Sequence, residues 1–168
     1  MYSRALDRTN WSERATLSPG KGRTYDLLTT EVLLHRLEVR EGRLVLPASG
    51  EDAKETGDGM HYRVLVVDPD DEAIPPAALR KIAALVNAGA TVILGKRRPD
   101  RSTGLAGYPA CDEEVQRLTS QLWGDPAAAT GTRPIGRGSV ITGATVDNVL
   151  REAGERPAEL DRLLANAV

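Results

Sequence analysis

The feature that most constrains this chain is a run of strand-forming residues, Tyr62 to Val67, followed by an acidic turn, a Pro75-Pro76 pair and a helical pattern. A strand that shows apolar side chains on both faces is the pattern of a parallel sheet covered on both sides. Pro75 and Pro76 pre-set the φ of a first helical turn, and Leu79, Ile82, Leu85 and Val86 recur at helical spacing until Gly89 ends the pattern. Thr91 to Leu94 is then a second buried strand. Strand, helix and strand in that order predict a βαβ unit with a right-handed crossover. Tyr62 to Val67 is expected as its central strand.

The remaining chain follows the same logic. Residues 1–24 mix charges with Ser18, Pro19, Gly20 and Gly22 and read as a loosely ordered arm, which leaves 25–168 as the domain. Tyr25 to Thr29 is expected as a strand, and Thr30 and Glu31 suit the start of a helix reaching about Arg36. Leu37 to Val39 and Arg43 to Leu46 flank Gly42 and predict a hairpin. The polar stretch between Pro47 and Met60 reads as a surface loop, as does Gly95 to Ala110. Asp112 to Trp123 is predicted helical with Gly124 as its stop, Asp125 to Gly138 a linker, Ser139 to Thr142 the last strand, and Thr145 to Ala153 and Pro157 to Ala167 helices. With no Phe and 4% aromatic residues, the core must be aliphatic. A net charge of −2 gives no basic stripe for nucleic acid. The longest apolar runs fall far below the roughly 20 residues a membrane helix needs. No membrane partner is expected, and the charged first residues, without an apolar run, point to a cytoplasmic protein with no signal peptide.

Several segments together carry a family resemblance. Tyr25-Asp26-Leu27-Leu28, Glu31-Val32-Leu33, Val39 through Pro47, Gly59 through Val66, Leu79 through Ile82, Leu85 through Val92, Tyr108 through Val115, Leu122-Trp123-Gly124 and Gly136 through Ile141 occur in an order that resembles bacterial α-L-rhamnosidases of glycoside hydrolase family 106. The resemblance spans roughly Pro19 to Gly154. It implies a flavodoxin-like domain, three-layered and mostly parallel with helices on both faces and one β-hairpin, related to class I glutamine amidotransferase and β-galactosidase trimerisation domains. In that family the domain follows the catalytic barrel and is accessory to it. The barrel's carboxylates lie upstream of the matching segment, so the resemblance assigns no catalytic residue here. It implies a structural role, packed on a glycosidase catalytic domain or on copies of the chain itself. Two departures are the long insertion between Pro47 and Gly59 and the acidic Asp68-Pro69-Asp70-Asp71, where the family is more apolar.

The strand-end crevice is the place to look for chemistry, because open α/β sheets bind ligands outside the carboxyl ends of their strands. Asp68, Asp70, Gly95 and Arg97 are its candidates. Asp68, Asp70, Asp71 and Glu72 would suit Mg²⁺ or aspartyl-phosphate chemistry, and the Asp-x-Asp resembles that of haloacid-dehalogenase-type phosphatases. The competing reading is a polar turn before Pro75, and the Thr expected after the second Asp is absent. Cys111 at a helix start suits a thiolate, but it lacks the Gly-x-Cys-x-Gly elbow and any following His, and reads as a packing residue beside an Asp112 cap. His35 and His61 have no metal-ligand partner at helical spacing and read as half-exposed structural residues. Lys96, Arg97, Arg98 and Arg101 form a basic cluster, read as a solvated loop against the alternative of an anion site. Gly136-Arg137-Gly138-Ser139 precedes a strand and is a turn, since phosphate loops follow one. No carboxylate pair with glycosidase spacing, no Ser-His-Asp set, no cofactor and no metal is predicted.

Overall fold

The computed structural model describes residues 25–48, 59–69, 72–125 and 131–154. They fall in two compact units, Asp26–Gly143 and a second that holds Tyr25 and residues 144–154. The larger unit contains, in order, α1 (Thr30–His35), β1 (Glu38–Arg40), β2 (Arg43–Leu46), β3 (Met60–Tyr62), β4 (Val64–Val67), α2 (Pro76–Ala88), β5 (Thr91–Leu94), α3 (Ala110–Trp123), β6 (Gly131–Ile135) and β7 (Gly138–Thr142). The smaller holds α4 (Val146–Glu152). The chain is thus mixed α/β, with two sheets and four helices among the described residues. None of those helices is long and apolar enough to cross a membrane.

The first sheet is an antiparallel meander, β1-β2-β3. Arg40 faces Arg43 across a two-residue turn in which Glu41 and Gly42 both have positive φ, 50° and 75°. That is the type I′ geometry whose twist matches a hairpin, and Gly42 supplies it without a Cβ penalty. The second sheet has the order β4-β5-β7-β6, its first three strands parallel and β6 antiparallel.

α2 buries Ala78, Leu79, Ile82, Ala83, Leu85 and Val86 on one face. It ends at Gly89, where the Gly89 N–H donates to Val86 O (2.9 Å) and the Ala90 N–H to Leu85 O (3.0 Å). This paired closure is the Schellman motif, and it satisfies carbonyls a helix end would otherwise leave bare. The α2 residues join Val92 and Leu94 of β5, Val140 of β7, Val115, Leu118, Leu122 and Trp123 of α3, and Leu37 and Leu44 in one core cluster. Leu65 and Val67 of β4 pack against it. Ile93 and Ile141 alternate onto the opposite sheet face and are buried as well, so β5 is covered on both faces. In the smaller unit the Thr145 hydroxyl caps α4 by accepting from the Asn148 N–H at 3.2 Å, and Val146 and Val149 are buried.

Four expectations are corrected. Residues 25–29 form no strand: Tyr25 and Leu27 are more than half exposed, and Thr29 instead caps α1 by accepting from the Val32 N–H at 3.3 Å. The Tyr62 to Val67 run breaks at Arg63, where the chain passes from the first sheet to the second, and among the described residues β4 is an edge strand rather than the centre. The 125–138 linker contains β6, hidden from composition by Gly131 and Pro134. Lastly, α3 begins at Ala110, with Pro109 and not Asp112 at the cap position. The arm at 1–24, most of the polar loop (residues 49–58), Asp70, Asp71 and the helix expected over 157–167 lie outside the described residues.

Candidate functional site

Asp68 follows β4 and Gly95 follows β5, and the parallel register Val67↔Leu94 brings them side by side. A Cβ placed on Gly95 would fall 1.9 Å from Asp68 Oδ1 and 2.7 Å from its Cγ. The aspartate arm therefore occupies the space a side chain at position 95 would take, and it would have to turn away to admit one. These two sequence candidates stand side by side. Arg97 is exposed on the loop beyond them.

The polar groups around this rim are engaged in holding the β5–α3 loop. The Gly95 N–H donates to Val67 O at 2.8 Å, and the Gly95 carbonyl accepts from the indole Nε1–H of buried Trp123 at 3.0 Å. A buried indole needs such a partner, and here it ties the end of α3 to the end of β5. The Arg98 guanidinium donates to Gly124 O just past that helix end. From the other side, Arg133 of β6 donates to Gln121 O (2.8 Å) and to Leu122 O. Arg133 thus meets the last carbonyls of α3 and Arg98 the residue just past them, where the helix dipole favours positive charge.

The remaining basic residues divide. Arg101 pairs with Glu72 (3.1 Å) and Asp100 (3.3 Å), while its backbone bridges to Ala73 and its carbonyl accepts from the Ile74 N–H. Lys96 is exposed. The predicted basic cluster is therefore a loop whose arginines at 98 and 101 hold the loop to its neighbours.

Cys111 sits in the first turn of α3, with Sγ 3.6 Å from Asp112 Oδ1 and 3.7 Å from Gly104 O. Asp112 accepts from the Ser102 N–H at 2.8 Å, fastening the loop rather than capping the helix. His35 ends α1 and His61 lies opposite Val45 on β3; both are exposed, more open than the half-exposure expected. Among the described residues no group of three His, Cys, Asp or Glu side chains has metal-binding geometry. Gly136 and Arg137 are the turn joining β6 to β7, as predicted.

One polar pair was not legible beforehand. Tyr62 Oη donates to Asp26 Oδ2 at 2.8 Å across the first sheet and the segment before α1. Burial first, then this hydrogen bond and the carboxylate's charge, push the Tyr62 phenol up to about 12. The partners are separated by 36 positions, and no local motif signals such a pair.

Against this geometry stand the comparisons. Residues 2–162 match the sequence model of the alpha-L-rhamnosidase family, glycoside hydrolase family 106. A curated protein of Formosa agariphila, described provisionally as a beta-glucuronidase, is 38% identical over 103 residues, which is 61% of this chain and 8% of that protein. The solved rhamnosidase of Novosphingobium sp. PP1Y superposes with a TM-score of 0.62 at 28% identity, covering 80% of this chain and 11% of that one. The chain thus spans about a tenth of the length of the relatives it matches.

Proposed function

The chain belongs to the alpha-L-rhamnosidase family, glycoside hydrolase family 106, and on that premise we propose that it is an accessory domain of a glycosidase. In this reading it is a flavodoxin-like, three-layer module that packs on a glycosidase catalytic domain and hydrolyses no glycoside itself. The observation that carries the reading is proportion: four-fifths of this chain superposes on one-ninth of a rhamnosidase, the relation of a module to a multidomain enzyme. The two relatives are named for different sugars, and a module common to both is poorly suited to be the part that selects the sugar.

The test is an assay of the purified chain on aryl α-L-rhamnosides and aryl β-glucuronides. No aryl alcohol should be released above the buffer rate. Turnover that survives repurification would overturn the proposal, and turnover lost on Asp68→Asn would move the function to the strand-end crevice.

A further inference from the structure

The two edges of the second sheet are built differently. Ile135 and Gly138 close a two-residue turn, so hydrogen-bonded pairs alternate from there and the backbone polar groups of Thr132 and Pro134 point outward. Pro134 has no N–H to offer, and Arg133 adds a charged side chain to the same strand. Proline and charge are the devices by which an edge strand refuses another strand. β6 is a protected edge.

β4 carries none of these devices. Its sequence is Val64-Leu65-Val66-Val67, with no charge, proline or glycine. Because Val67 O accepts from the Gly95 N–H, the polar groups of Val67 and Leu65 face β5. Those of Val64 and Val66 point the other way, where no strand pairs among the described residues. Val66 is 38% exposed. A strand written for burial on both faces thus stands at a sheet edge that no other strand among the described residues pairs.

We infer that the outer edge of β4 accepts an extended strand from the catalytic portion of a glycosidase, by sheet augmentation. The inference rests on the accessory-domain reading and names the surface on which that reading would act. The occupant follows from proportion, since about nine-tenths of the superposed rhamnosidase lies outside the matching segment. It also follows from chemistry: the edge offers outward N–H and C=O groups at Val64 and Val66 beside an exposed β-branched side chain. An uncharged segment rich in Val, Ile or Thr complements it.

The experiment presents short overlapping peptides, drawn from the Novosphingobium rhamnosidase outside the matching segment, to the purified chain. One contiguous stretch should be captured. Val66→Lys, which places a charge on the edge, should weaken capture about tenfold, and Thr132→Lys on β6 should leave it unchanged. Hydrogen exchange at the Val64 and Val66 amides should slow on capture, while the Leu65 and Val67 amides, already paired to β5, should not change. Absence of capture, capture indifferent to Val66→Lys, or a homodimer dissolved by Val66→Lys would each overturn the inference, the last by giving the edge to a second copy. Glycoside turnover by the chain would instead sink the accessory reading and leave these edge measurements to stand alone.

Discussion

Replacing Gly138 by Ala tests the close approach of α2 to β7. A Cβ there would fall 2.3 Å from Ala90 O, 2.4 Å from Val86 O and 2.9 Å from Ala90 N. All three are backbone atoms, so no side chain can rotate away. The Ala90 carbonyl is held by the Ser139 N–H at 3.1 Å, and the Ala90 N–H closes the end of α2. Room for one methyl group must come from parting α2 from β7. Overpacking costs roughly 1–3 kcal/mol, and weakening two backbone hydrogen bonds adds about 0.5–1.5 kcal/mol each, for a total of about 2–6 kcal/mol. Urea unfolding followed by tryptophan fluorescence should show the midpoint fall by about 2 M at an ordinary slope. Gly104→Ala is the control: nothing lies within 4 Å of its Cβ, and the change should be neutral or stabilise by up to about 1 kcal/mol. A Gly138→Ala protein that unfolds within about 0.5 kcal/mol of the parent would refute the packing of α2 on β7.

Three further outcomes follow from named contacts. Gly95→Ala should destabilise by about 1–3 kcal/mol, and Asp68→Ala in the same chain should restore at least about 1 kcal/mol of it, because Asp68 Oδ1 is the atom in the way; additive unfolding energies would refute the juxtaposition. Arg133→Ala should cost about 2–3 kcal/mol through two carbonyl partners at the end of α3, whereas Arg80→Ala should stay within about 0.5 kcal/mol because the Arg80 side chain, paired with Glu114, is 58% exposed; equal losses in thermal melts would contradict this. Tyr62 should be a late-titrating phenol, near 12, and Asp26→Asn should lower it. Since the fold favours the neutral phenol, its contribution is whole below about pH 10, where an unfolded tyrosine titrates, and is lost as pH climbs toward 12. An ultraviolet phenolate titration in which Tyr62→Phe removes only a step at the free-tyrosine position would refute it.

What the sequence disclosed tracks how local each cause is. β5 and α2 were legible because their signals sit within themselves: an unbroken Thr91-Val92-Ile93-Leu94 run, and prolines and a glycine bracketing a helical period. β6 was hidden because Pro134 argues against a strand unless it is known to lie on an outer edge, at a position that donates nothing to the ladder. The break at Arg63 was equally invisible, since only the partners β2 and β5 reveal that one apolar run serves two sheets. In the site, Asp68 and Gly95 were placed together because both follow strands of a parallel pair. The fates of Arg98 and Arg101 depended on Gly124 and Glu72, partners 26 and 29 positions away, which no spacing rule reaches.

The use of polar groups at the strand ends bears on where the protein acts. A ligand entering that rim in the manner of open α/β sheets would meet a carboxylate folded over Gly95, a Gly95 carbonyl already bonded to Trp123, and an arginine at 98 already spent on Gly124. Each displaced contact would cost about 0.5–1.5 kcal/mol, and more for the charged partner, before any binding energy was gained. Along the outer edge of β4 no strand pairs among the described residues, and Val66 would lose exposed surface on pairing. Displaced contacts therefore weigh less along the flank of this sheet than at its rim, in keeping with the proposed pairing of a strand along β4.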